Sequence, residues 1–442
     1  MKLRICLYTS FTCFLIAGYA HGQSLPGSGT DVAIGYQGLP AKSMGQTKGG
    51  IQLSDSALVH VGVGAEAGYD TNVFYSASNA QGSPILRVVP FFELTNASRG
   101  GNVTNADVYF DLGASLTYRE YLSNDPLIRD QRAFMPAFFG NLELGRVQNL
   151  SFSINEGFTR SEDPPYVNQG QSTQPIIRDI NMASAAARWA PGGGRLAAML
   201  QYTNTLDAFE TNNLRVANSM GHLLTADLSW KWLPKTAVVL QISQGYITYF
   251  NTNEAGKSKP TSYPLHALGG LRGLITAKLA VNLLAGYSNG FYSNVPGPSG
   301  FRGNFSLIAE GNYHPTLLST IVVGYRHDFQ NAVLGNFYYL DAAYLNVGQA
   351  IAGRFGLGFT ARYESRSFQG VPLADGITFI SRHDNFWQVG LNLDYHIRDW
   401  SYFGLAYILM SNGSDYEPMA ANDPGRVNYL KQLVFARVGV TY

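Results

Sequence analysis

Cysteine is nearly missing from this 442-residue chain: its two copies, Cys6 and Cys13, both lie close to the N-terminus. The remainder of the chain therefore has no disulfide framework and no thiolate metal site. Charge is sparse too, since Asp, Glu, Lys and Arg make up 14% of the residues against roughly 25% in soluble globular chains. A surface so poor in charge is built to face something other than water. Beyond the first segment no run approaches the roughly 18 apolar residues of a membrane helix, so no helical span is predicted. The 31 basic and 30 acidic residues nearly cancel, which removes the bulk electrostatic case for nucleic acid as a partner.

Met1 to Gly22 opens with Lys2 and Arg4, continues through an apolar stretch from Ile5 to Ala17, and ends on small residues at Ala20 and Gly22. That order predicts a cleaved secretory signal peptide over residues 1–22. Its loss takes both cysteines with it and leaves 29 basic against 30 acidic residues. Cys13 follows Phe11 and Thr12 and not a small-residue lipidation box. Residues 23–56 are rich in Gly, Pro and Ser without a sustained period and read as a flexible periplasmic tail. No repeat of about 34 residues marks a helical-repeat module.

What the chain does contain is alternation. From Val434 every second residue (Val434, Ala436, Val438, Val440, Tyr442) is apolar, and Lys431, Arg437, Gly439 and Thr441 fall on the other parity. A period of two is a strand. Its length exceeds the usual globular strand of about 5 to 6 residues and suits a tilted membrane-crossing strand of roughly 9 to 11. A chain ending on an aromatic in such a strand resembles the closing strand of bacterial outer-membrane β-barrels, which the barrel assembly machinery reads, so Val438, Val440 and Tyr442 are assigned to assembly. The same grammar begins at Leu58. Val59, Val61, Val63, Ala65, Ala67 and Tyr69 oppose His60, Gly62, Gly64, Glu66 and Gly68. Later, Phe110, Leu112, Ala114, Leu116 and Tyr118 oppose Asp107, Asp111, Ser115, Thr117 and Arg119. Ile180 to Ala190, Phe337 to Gly348 and Tyr402 to Met410 do not declare a facing.

Short turns (Pro191 to Gly194, Leu233 to Lys235, Pro315-Thr316, Gln349 to Gly353, Arg398-Asp399) alternate with longer polar loops. These loops are Asp70 to Ser83, Ser161 to Ile177, Asn251 to Thr261, Ser293 to Arg302, Ser367 to Arg382 and Ser411 to Arg426. A chain that crosses a bilayer without a helix must close a barrel, because only then is every backbone polar group satisfied in lipid. The expected fold is all-β: residues 57–442 as a transmembrane antiparallel up-and-down barrel of about 18 strands, with short periplasmic turns, long extracellular loops and both termini in the periplasm.

Two stretches carry a family resemblance. Gly68-Tyr69-Asp70-Thr71-Asn72-Val73-Phe74 resembles the Y-D-x-N-V-F signature of an outer-membrane β-barrel porin family, and Gly157 to Pro165 resembles that family's strand-to-loop junction. The resemblance implies a barrel associated with exopolysaccharide export. Its partners would be outer-membrane lipid, the polysaccharide cargo and a periplasmic polysaccharide co-polymerase or export protein. It implies no catalytic residue and no cofactor.

The residues themselves leave three functions open: a conduit for surface polysaccharide, a passive porin for small solutes, and a barrel hydrolase. Pore-lining residues expected on the inward parity are Glu66, Asp107, Asp111, Arg119, Asp227, Lys231, Glu310, Arg354, Arg362, Glu364, Arg366, Asp394 and Arg437. Their signs balance, which suits neutral or mildly charged cargo, since ion selectivity needs rings of one sign. Some would pair across strands, as Arg366 with Asp384. Inward Gly62, Gly64, Gly286, Gly290, Gly356, Gly358 and Gly390 predict an open bore of the kind that barrels of about 16 to 18 strands enclose. A hydrolase would need Asp394 with His396, His383 with Asp384, or His327 with Asp328. No His pair at i, i+4 spacing indicates zinc.

Overall fold

Each half-apolar alternating run leaves a ladder of N–H and C=O groups to be paired, and the computed structural model pairs them in one continuous antiparallel sheet. The structure describes residues 50–54, 57–96, 107–161, 176–252, 256, 258–293, 304–333, 335–372, 379–398, 400–416 and 427–442. In chain order the strands are β1 (Ile51–Ser54), β2 (Ala57–Asp70), β3 (Ser83–Thr95), β4 (Val108–Tyr121), β5 (Ala133–Leu144), β6 (Leu150–Ser161), β7 (Arg178–Trp189), β8 (Leu196–Phe209) and β9 (Ser219–Leu233). The second half holds β10 (Thr236–Tyr249), β11 (Leu265–Leu274), β12 (Leu279–Asn289), β13 (Asn304–Tyr313), β14 (Ser319–Asn331), β15 (Phe337–Ile351), β16 (Phe355–Pro372), β17 (Phe379–Arg398), β18 (Ser401–Ser414) and β19 (Tyr429–Thr441). One turn of α-helix, α1 (Pro126–Arg129), and a 3-10 turn (Asn212–Ala217) lie between strands.

Eighteen of these strands, β2 to β19, form a closed ring in which each pairs with its successor. The ring closes where β19 returns to β2, in register from Leu433↔Asp70 to Thr441↔Gly62. Tyr442 completes the seam: its N–H donates to the carbonyl of Val61 at 2.8 Å, and its carbonyl accepts from Val61 at 3.0 Å. We call the rim holding Tyr442 the lower rim and the opposite one the upper rim. Short β1, which the sequence assigned to a flexible tail, pairs antiparallel with the start of β2 below this seam. Its alternating Ile51-Gln52-Leu53-Ser54 was long enough to extend the sheet.

Burial alternates with strand parity. On β3, Pro84, Leu86, Val88, Pro90 and Phe92 are exposed, whereas Ser83, Ile85, Arg87, Val89, Phe91 and Glu93 are buried. The exposed set faces outward. β19 repeats this, with Val434, Val438 and Val440 exposed and Phe435 and Arg437 buried. An apolar outside and a mixed inside are what a membrane-spanning barrel needs. Of the segments that declared no facing, β18 is apolar on both sides. In β18, Phe403 and Leu405 point outward while Ala406, Ile408 and Met410 are buried on the inner face.

The expected loop from Ser367 to Arg382 is largely strand, since β16 continues to Pro372 and β17 begins at Phe379. A register shift between Phe368 and Val371 accommodates the extra residues. At the lower rim the link from β3 to β4 spans 96–107, a longer connection than the turns anticipated there. The signal peptide and most of the tail lie outside the described residues.

Candidate translocation path and its closed mouth

Most of the residues expected to line a path do lie on the inner wall, paired rather than free. Glu66 and Arg87 approach to 3.8 Å, and Arg437 holds Asp394 through two guanidinium nitrogens at 2.6 to 3.0 Å. Arg272 lies 3.4 Å from Asp227, and Arg178 forks onto Asp207 at 2.7 and 2.8 Å. Glu364 sits between Arg362 and Arg366 on one strand. Arg119 donates to the Gln131 carbonyl, Glu310 accepts from the Tyr344 hydroxyl, and Asp111 is buried on β4. Mixed signs thus neutralise one another within the wall, leaving no ring of one sign among the described residues.

Three of the expected inward charges sit at the lower rim. Arg354 lies in the lower-rim turn 352–354, where Ala352 (φ 51°) and Gly353 (φ 68°) take the left-handed conformation, and it is exposed. Asp107 precedes β4 and binds Gln148 at 3.0 Å, also at that rim. Lys231, near the lower end of β9, is exposed and reaches the Gly193 carbonyl. Parity gave each a direction but not the end of its strand. The pairing of Arg366 with Asp384 is also corrected. The two stand opposite in register, yet Arg366 bonds Glu364, and Asp384 bonds Arg382 and Ser414.

Of the inward glycines expected to open the bore, Gly62 and Gly290 do not: a Cβ on Gly62 would fall 2.3 Å from the Phe91 ring and on Gly290 2.2 Å from Tyr292, whereas one on Gly356 or Gly358 would meet nothing closer than 3.6 Å. Gly62 seats the ring of its cross-strand partner Phe91, as Gly439 seats that of Tyr402, a device that stabilises a curved sheet. Arginines stack on rings in the same way: Arg87 over Phe435, Arg366 over Phe386 and Arg382 over Phe368, at 4.6 to 4.7 Å.

Toward the upper rim the chain turns inward. Asn72, Val73, Phe74, Tyr75 and Ser76 come after β2 and are all buried, packing with Ile85, Tyr121, Ile128 of α1, Phe386, Met410 and Phe435. Asp70 anchors them: its carboxylate accepts from Tyr121 at 2.9 Å and pairs with Lys431 at 2.8 Å, while Lys431 also donates to the Asn72 carbonyl. The Y-D-T-N-V-F stretch is therefore the root of an inward-folded segment. Farther round, Ile176, Phe209, Leu214 and Ala217, all from β6–β9 and its loops, pack with Val333 from the connection between β14 and β15. Those strands are far apart in the ring, so this apolar contact bridges the mouth. Lys259, from the connection between β10 and β11, donates to the carbonyls of Ala332 and Val333, the latter at 2.9 Å, and lies over the Tyr249 ring. Burial pushes its ammonium down to about 7, with Asp207 opposing that shift. Nothing in the sequence distinguished Lys259, Leu214 or Val333 from ordinary loop residues. Residues 162–175 and 417–426, which make up most of the loops expected at 161–177 and 411–426, lie outside the described residues.

None of the three hydrolytic pairs forms. Asp394 is held by Arg437 while His396 sits against the Tyr402 ring; His383 approaches Ser365 at 3.5 Å while Asp384 binds Arg382. His327 bonds Asp341 at 2.7 Å, and Asp328 instead binds His266 at 2.9 Å, Arg326 and Ser306. In this last cluster the serine hydroxyl donates to the carboxylate and not to the imidazole, and Ser306, Asp328 and His266 are all buried. Among the described residues no group of three or more His, Cys, Asp or Glu side chains is placed to hold a metal.

The class of molecule that fold and path define is a closed antiparallel β-barrel with a packed, charge-balanced interior. No family model matches the chain, and no curated protein does. Solved structures similar to it include OccAB4 of Acinetobacter baumannii (13% identity, 87% of this chain and 98% of that chain, TM-score 0.43). Others are the outer membrane protein opdK of Pseudomonas aeruginosa (10%, 87% and 99%, 0.42) and the siderophore receptor PirA of Acinetobacter baumannii (8%, 89% and 81%, 0.41).

Proposed function

We propose that this chain is an outer-membrane barrel serving as a gated conduit for export of a surface polysaccharide. The observation that carries the gate is the bridged mouth, where Val333 packs on Leu214 and Ile176 and Lys259 ties two connections together. The cargo is inferred from the wall chemistry and from the resemblance of the Y-D-T-N-V-F stretch to export-associated barrels. Paired charges, amides and rings offer a neutral, hydrated polymer many weak contacts and no deep trap, as conduction requires. On this reading Tyr442 sits at the periplasmic interface, where an aromatic ring is favoured. A periplasmic export protein is the expected partner.

Half-buried polar residues on the inner faces of β6 and β7 (Ser153, Asn155, Ser184) favour a second reading, a passive porin for small solutes. One genetic experiment separates the two. Deleting the gene should abolish one surface polysaccharide while its cytoplasmic synthesis continues. Unchanged surface polysaccharide, with impaired growth on a small sugar, would move the function to the porin.

A further inference from the structure

The outer wall contains an acid where lipid should be. Glu156 lies on the outward parity of β6, in line with Leu150, Phe152 and Ile154, which are 45%, 48% and 54% exposed, and with Phe158, which stacks on outward Phe138. Leu150 is six residues below it and Arg160 four above, about 20 and 13 Å along a strand. At the usual tilt of 35–45° this puts the carboxylate near the middle of an apolar band about 25 Å tall. In register beside it stand only Gly140 on β5 and Ala183 on β7, and the Asn181 amide donates to it at 2.5 Å.

The rest of that wall is uneven. β7 presents Ala183, Ala185 and Ala187, with bulkier Ile154 and Leu200 on the strands either side. The result is an outward groove of about 380 Å³, lined in part by Leu150, Ala187, Trp189, Ala198, Leu200 and Leu228. Beyond it the row through Ala183 continues to Asn204 and His222, with the Tyr202 hydroxyl 2.7 Å from the His222 ring.

We infer that the β6–β9 wall docks a second copy of this chain within the membrane. The patch is complementary to itself. It carries a carboxylate on the β6 side and hydroxyl, amide and imidazole groups on the β8–β9 side. A copy turned about a two-fold axis normal to the bilayer lays one side on the other. Small residues on β7 allow the close approach that packing in lipid depends on. An acyl chain would fill the groove but offer nothing to Glu156. The inference rests on the membrane reading of the barrel.

The test is cysteine cross-linking in isolated outer membranes, since the native cysteines are only Cys6 and Cys13. Ala185→Cys should oxidise to a band of two copies, while Leu357→Cys, exposed on β16, should not. The native mass of the wild-type protein in mild detergent should be twice that of the chain, and Glu156→Leu should reach the membrane normally yet lose most of its dimer. A monomeric mass with no Ala185→Cys product, or cross-linking to a different protein, would overturn the contact. Absence of the chain from the outer-membrane fraction would instead sink the membrane reading beneath it.

Discussion

Replacing Lys259 by Met should abolish the pH dependence of opening at the upper rim. In the closed mouth the ammonium is buried and its pKa is pushed down to about 7; once released into water it returns to the ordinary value, 10.5. Between those two values the open state holds one proton more than the closed state. Closure therefore strengthens as pH rises, by about 1.4 kcal/mol per pH unit inside the window, and levels off below and above it. Going from about pH 7.5 to about pH 9.5 should favour the closed state by roughly 2 to 3 kcal/mol, about a hundredfold in the open-to-closed ratio. Open probability of the purified protein in planar bilayers measures this directly. Asp207, whose charge opposes the shift of Lys259, is itself paired with Arg178. Met keeps the length of the side chain and the contact with Tyr249 but donates nothing to the carbonyls of Ala332 and Val333, so the variant should respond flatly to pH. Opening that increases with pH, or a Met variant with the wild-type profile, would refute the latch.

The wall and the seam lead to two more expected outcomes. An Arg at a midplane lipid-facing position costs about 2 to 4 kcal/mol, so Phe359→Arg should lower the heat-modifiable folded band in detergent while inward Thr360→Arg leaves it near the wild-type level; equal folding of the two would reverse the facing of β16. Removing Val440 to Tyr442 deprives Val61 of both its backbone partners and shortens the seam between β19 and β2, so outer-membrane levels should fall and periplasmic degradation rise. Normal levels of the truncated chain would contradict the role given to the seam.

The architecture was legible because the side-chain period of a strand is two and each face met a different medium. On β2, β4 and β19 one parity is apolar and the other mixed, and the structure faces them accordingly. Legibility failed where both media were apolar, as on β18, whose Ile408 and Met410 pack inside against the inward-folded segment after β2. The path was read less well for two physical reasons. Alternation says which way Asp107, Lys231 and Arg354 point but not that they sit at a rim. A glycine in the sequence also looks like empty space, whereas the space at Gly62 and Gly290 is taken by the rings of Phe91 and Tyr292. The mouth was illegible because Leu214, Val333 and Lys259 meet only through folding of separate connections.

The central claim is that these connections close the barrel, and single-channel recording tests it most directly. The wild-type protein in planar bilayers should be closed for most of the record. Leu214→Ser with Val333→Ser, which removes the apolar bridge between Phe209, Ile176 and the β14–β15 connection, should give long-lived openings of high conductance. Steady, high conductance by the wild-type protein, unchanged in the double variant, would mean that the mouth is open and the gate does not exist.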